Sequence, residues 1–133
     1  MAKTKQFIVT AENRPGAVAE IARTLGNEKV NILSLLLSGK AEETRGTVQL
    51  VVDDARRAKK ALDESGLTYQ ETAAEEYELP NKPGALAQYL EKLTAKGINL
   101  NSICATAAKG GKKAVVVYTV DVKAKAESAS ATA

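Results

Sequence analysis

The chain has 133 residues, enough for one ordinary domain or two very small ones, and its 44% apolar and 26% charged residues give the balance of a folded globular protein. Its 19 basic and 16 acidic residues are mixed along the chain, so there is no basic stripe for nucleic acid, and no apolar run is long enough to span a bilayer. The absence of histidine excludes His-based triads and His-rich metal sites, and the single cysteine, Cys104, excludes an internal disulfide and leaves a thiol without a base.

Residues 5–11 are rich in β-branched and aromatic side chains and predict a strand. Asn13-Arg14-Pro15-Gly16-Ala17 stops it, and Pro15 suits the first position of a helix, where its missing N–H costs nothing. Val18, Ile21, Ala22 and Leu25 follow at helical spacing and predict an amphipathic helix facing a core. Val30 to Ser38 reads as a long apolar strand, Gly39 to Glu43 as a polar turn, and Thr47 to Val52 as the returning strand. Ala55 to Glu64 reads as a second helix, with Lys59 and Asp63 spaced to pair along it. Gly66 ends that helix and Leu67 to Gln70 opens a fourth strand, so the order is βαββαβ, the ferredoxin-like plan.

The same text then repeats. Asn81-Lys82-Pro83-Gly84-Ala85 recurs 68 residues after the first loop, and that offset also aligns Leu25 with Leu93, Asn31 with Asn99, Ser34 with Ser102 and Asp53 with Asp121 without a gap. The second helix face is traced by Leu86, Leu90 and Leu93, with Ala85 and Tyr89 alongside. Gly97 falls where a helix C-cap wants positive φ; its equivalent, Lys29, is a less comfortable residue there. The fold class is therefore α+β, two tandem ferredoxin-like modules with antiparallel sheets, spanning 1–70 and 71–133, the second incomplete at its C-terminus. From Lys123 to Ala133 no apolar residue is larger than Ala, so a frayed tail and no final strand are expected. The sheet edge so left predicts a homodimer. Cys104, between Ile103 and Ala105, is expected to be a small buried core residue. No secretory h-region follows the charged N-terminus, so the cytoplasm is the expected compartment.

The repeated loop carries the functional signal. A helix start offers unpaired N–H groups, here around Gly16 and Ala17 or Gly84 and Ala85, at the positive end of the helix dipole. An asparagine amide both donates and accepts, so Asn13 and Asn81 suit a ligand's ammonium or carboxylate as well as a turn or N-cap role. Arg14 and Lys82 add positive charge where the dipole disfavours it, which fits a visiting anion or simple solvation. Asn31 and Asn99 also fit as formers of the helix-to-strand turn.

Asn-x-Pro-Gly-Ala, followed by a helix and then Val30-Asn31-Ile32 or Ile98-Asn99-Leu100, resembles the ACT domain family, whose ferredoxin-like modules typically sense amino acids. The resemblance covers Lys5 to Tyr69 fully and Tyr77 to Val122 in part. It implies paired modules with a free amino acid held between the loop of one and the partner module. The implied ligand residues are Asn13, Arg14, Pro15, Gly16 and Ala17 with Asn31 and Ile32, and Asn81, Lys82, Pro83, Gly84 and Ala85 with Asn99 and Leu100. No catalytic residue, metal or cofactor is expected. ACT modules are often attached to the enzyme they control, and this chain shows no catalytic region, so a regulated enzyme would be a partner in trans. The alternative is a structural protein–protein interaction module that binds no ligand. An RNA-binding version of the plan would stack bases on aromatics of its central strands, and Thr47–Val51 and Val115–Thr119 offer one tyrosine between them.

Overall fold

Period-two alternation puts Phe7, Val9 and Ala11 on one face of the first strand, and in the computed structural model all three are buried. The structure describes residues 2–40 and 42–120. The elements run β1 (Ala2–Glu12), α1 (Ala17–Asn27), β2 (Ile32–Ser38), β3 (Arg45–Val52), α2 (Ala55–Glu64), β4 (Tyr69–Pro80), α3 (Ala85–Ala95), β5 (Leu100–Ala107) and β6 (Lys113–Val120). The architecture is α+β, and all the strand pairings given by register are antiparallel. The chain divides into two compact units, Lys5–Ala73 and a second holding residues 74 onward with the first four.

In the N-terminal unit the strand order is β2-β3-β1-β4, the ferredoxin-like arrangement. Phe7 lies opposite Leu50 and Val9 opposite Val48. Onto that face α1 lays Ile21 and Leu25, and α2 lays Ala58, Ala61 and Leu62, all buried in one cluster. The helix spacing read from the sequence therefore marks the packed stripe. α2 is capped by Asp54, which accepts from the Arg57 N–H at 3.0 Å. Lys59 does not pair along the helix: its ammonium lies 3.8 Å from Glu71, and Asp63 accepts a hydrogen bond from the Tyr69 hydroxyl. That bond, then burial, pushes the Tyr69 phenol up to about 12.

In the C-terminal unit the order is β4-β6-β5, with α3 between β4 and β5 in sequence. Among the described residues its core holds Leu79, Tyr89, Leu93, Val116 and Tyr118. Tyr89 stacks on Tyr77 with ring centroids 4.4 Å apart, and its hydroxyl meets that of Tyr118 at 3.0 Å. Leu86, expected on the buried stripe, is 37% exposed, because the stripe is centred on Tyr89 and Leu93. The last strand and tail expected to be missing or frayed involve residues 121–133, outside the described residues.

The duplication extends to details of the backbone. α1 ends with Lys29 at φ 61° and a Val30 N–H to Leu25 C=O bond of 3.0 Å; α3 ends with Gly97 at φ 75° and an Ile98 N–H to Leu93 C=O bond of 3.0 Å. Both are Schellman ends. Lys29 accepts a left-handed conformation costing about 1 kcal/mol relative to glycine. A register shift then interrupts each following strand at the same place, between Ile32 and Ser34 and between Leu100 and Ser102. Cys104 corrects the expectation of a core thiol. It is half-buried on β5, the last strand in the sheet order of the described residues.

Candidate functional site

The two Pro-Gly loops adopt one conformation. Gly16 and Gly84 have φ of 88° and 84°, the left-handed region that glycine enters without strain, and each occupies the N-cap position. The helices begin at Ala17 and Ala85, so Pro15 and Pro83 stand in the turn ahead of the helix rather than at its first position. The turn closes through Ala17 N–H to Arg14 C=O at 3.3 Å and Ala85 N–H to Lys82 C=O at 3.2 Å. Left-handed glycine N-caps carry no side-chain acceptor, so α1 and α3 lack the cap that Asp54 gives α2. Their first-turn N–H groups keep the positive end of the helix dipole uncompensated by a cap. A Cβ on Gly84 would meet nothing within 4 Å, and one on Gly16 would meet only Arg14 Nη1 at 3.9 Å. The glycines are required by backbone conformation, and the space in front of them is open.

Asn13 and Asn81 are not the N-caps, and their side-chain amides reach across to a distant turn. Asn13 Nδ2 donates to the Glu43 carbonyl at 2.8 Å and reaches the Lys40 carbonyl at 3.4 Å; Asn81 Nδ2 donates to the Gly111 carbonyl at 2.9 Å and reaches the Ala108 carbonyl at 3.5 Å. The bonded residues are 27 and 30 positions away in both copies. Backbone bonds from Asn13 N–H to Thr44 C=O (2.9 Å) and Asn81 N–H to Lys112 C=O (3.0 Å) complete each clamp. Each asparagine thus fixes its loop against the β-hairpin turn of its own unit, which makes that turn part of the site.

In the N-terminal unit clefts among the described residues flank the loop on two sides. One of about 240 Å³ is lined by Thr10, Ala17, Thr24 and Ser65, among others, and one of about 290 Å³ by Asn13, Leu37, Gly39, Lys40 and Arg45. Glu12 and Arg14 border both. Arg14 donates to Glu20 at 2.7 Å and to Glu12 at 2.8 Å, bonds that hold its guanidinium protonated well beyond the ordinary range. Its charge is therefore paired with Glu12 ahead of the loop and Glu20 in the first turn of α1. In the C-terminal unit a cleft of about 150 Å³ is lined by Asn81, Lys82, Ala85, Leu86 and residues of β5 and β6.

The remaining expected residues lie elsewhere within each unit. Asn31 exchanges bonds with Asp53, through its N–H to Asp53 Oδ1 at 2.9 Å and its C=O from the Asp53 N–H at 3.0 Å. Ile32 lies opposite Val52, whereas the loop end of the sheet is where Glu12 faces Arg45. Asn31 and Ile32 therefore occupy the end of the sheet away from Asn13–Ala17. Asn99 and Leu100 do the same, since Leu100 faces Val120 while Pro80 faces Lys113. The sequence reading missed the hairpin residues Leu37, Gly39, Lys40 and Arg45. Their only sequence signal was the equal loop-to-hairpin spacing in the two copies. Among the described residues no group of three or more His, Cys, Asp or Glu is placed to hold a metal ion, and no helix is long and apolar enough to cross a membrane.

The ACT domain family model matches residues 5–64, the span that carries the first loop and both helices of the N-terminal unit. That match places residues 5–64 in the ACT domain family. It is similar to a protein of Bacteroides thetaiotaomicron of known crystal structure, with TM-score 0.82 and 28% identity over 92% of this chain and 83% of that one. It also shares its fold with the ligand-free regulatory subunit of aspartate kinase from Thermus thermophilus (TM-score 0.65, 15% identity, 87% and 82% of the two chains). The regulatory subunit of aspartate kinase from Thermus flavus is similar as well (TM-score 0.64, 16% identity, 96% and 87%). No curated protein matches the chain in sequence.

Proposed function

We propose that the protein is a non-catalytic regulator of two ACT-like modules, 1–70 and 71–133, that binds a free amino acid at its Pro-Gly loops and passes the signal to a partner enzyme in trans. The observation that carries this reading is the duplicated loop: a left-handed glycine, a helix start without a side-chain cap, and an asparagine clamp, each beside a cleft. A ligand carboxylate fits the uncapped N–H groups, and clefts of about 150 to 290 Å³ suit a small metabolite rather than a macromolecule. The aspartate kinase subunits of the same fold are regulatory by name, which supports a regulatory role. The cytoplasm is the compartment proposed.

β2 supports a homodimer. It is an edge strand, and Leu33, Leu35, Leu36 and Leu37 are each 40% exposed or more. An apolar strand at the end of a sheet is a template for another strand, and the equivalent stretch of β5 reads Asn101, Ile103, Cys104 and Ala105. The same strand favours the second reading, an interaction module that associates through β2 and binds no ligand.

Backbone amide chemical-shift mapping separates the two. With each of the twenty amino acids at millimolar concentration, the ligand reading expects one of them to move the amides of Gly16 to Ala19 or Gly84 to Ala87. Gly16→Asn and Gly84→Asn, which tolerate positive φ, should weaken that response by about tenfold or more by filling the open space. No movement at either loop with any amino acid would leave the interaction module as the function.

A further inference from the structure

The two loops share a backbone and differ in charge at every acidic position. Around the first loop and its hairpin stand Glu12, Glu20, Glu42 and Glu43 against Arg14, Lys40 and Arg45. The 68-residue offset replaces those four acids with Pro80, Gln88, Gly110 and Gly111, and sets Lys82, Lys109, Lys112 and Lys113 around the second loop. The clamp from Asn81 to the carbonyls of Gly111, Ala108 and Lys112, together with the Pro80–Lys113 register, holds those lysines at the loop. Lys109, Lys112 and Lys113 are exposed, and none of the four has an ion-pair partner among the described residues. Lys82 lines the cleft, Lys109, Lys112 and Lys113 stand on the adjoining hairpin, and the nearest acids in sequence, Glu78 and Glu91, are not in its lining.

From this opposition of charge we infer that the two sites are not equivalent, and that the C-terminal one selects an amino acid with an acidic side chain, aspartate or glutamate. The inference rests on the amino-acid-binding reading and names the ligand class of one of its sites. A zwitterion presents one carboxylate to the helix start. In the C-terminal unit a second carboxylate meets four lysines and no acid at these positions, whereas in the N-terminal unit four acids outnumber Arg14, Lys40 and Arg45, and Glu12 and Glu20 already hold Arg14. Like charges disfavour it there, and opposite charges favour it at the second loop.

Isosteric ligand pairs isolate the charge. Calorimetric titration of the full chain should find aspartate bound about tenfold or more tightly than asparagine, or glutamate than glutamine, a difference that shrinks as salt rises from about 0.05 to 0.5 M. The double variant K112E/K113E changes two exposed side chains outside the core and should abolish the preference. The pair K92E/K96E, exposed at the far end of α3, makes the same change of charge away from the loop and should leave it unchanged. Amino acids that bind with no preference for the acid over its amide would overturn the inference and leave the binding reading standing. Binding by no amino acid would overturn both.

Discussion

Phe7→Ala is expected to destabilise the N-terminal unit by about 3–5 kcal/mol. Phe7 is fully buried at the centre of the cluster that joins β1 and β3 to both helices, and its ring lies 5.9 Å from that of Tyr69. Truncation loses the transfer free energy of the ring and opens a cavity that helices fixed by a sheet cannot fill. A unit of this size has only about 5–15 kcal/mol in all. Urea unfolding followed by circular dichroism should show a much lower midpoint, and a loss below about 1 kcal/mol would show that this cluster is not the core.

The second large effect falls on Tyr89. Among the described residues its cluster has five buried members, so each carries a larger share than in the N-terminal unit. Tyr89→Ala removes a ring stacked at 4.4 Å on Tyr77 and tilted against Tyr118 at 6.1 Å, with an expected loss of about 3–5 kcal/mol. Tyr89→Phe removes the hydroxyl alone and should cost about 1 kcal/mol. Burial first, then the bond to Tyr118, pushes the Tyr89 phenol up. Its contribution is therefore complete below the ordinary tyrosine pKa and is lost as pH rises through the elevated folded value. Equal losses for Tyr89→Ala and Tyr89→Phe would place the stability in the hydroxyl pair rather than in the packed rings.

Much of this was legible in the sequence because it is local or repeated. Helical spacing gave Ile21 and Leu25 as the packed stripe of α1, and α2 runs over Ala55–Glu64 as its composition predicts. The 68-residue offset placed two loops in equivalent positions, and the structure gives them equal glycine dihedrals. What was not legible depends on contacts between distant segments. The asparagine motif suggests caps and turns, and nothing in it says that the amide reaches carbonyls 27 and 30 residues away. Arg14 looked free for an anion because Glu20 is a full turn into α1, and only the loop's geometry brings the two to 2.7 Å. Lys59 had Asp63 at helical spacing, yet β4 supplies Glu71 and Tyr69 as competing partners. Pro15 misled by two residues, because Gly16 turns left-handed before the helix begins.

The central claim, binding of a free amino acid, is tested most directly by thermal unfolding of the purified chain with each of the twenty amino acids at millimolar concentration. A ligand at 100 times its dissociation constant adds about 2.7 kcal/mol, which for a unit of this size raises Tm by roughly 10 °C or more. The account predicts such a rise for at least one amino acid, weakened by Gly16→Asn or Gly84→Asn. An unchanged Tm with all twenty would contradict it.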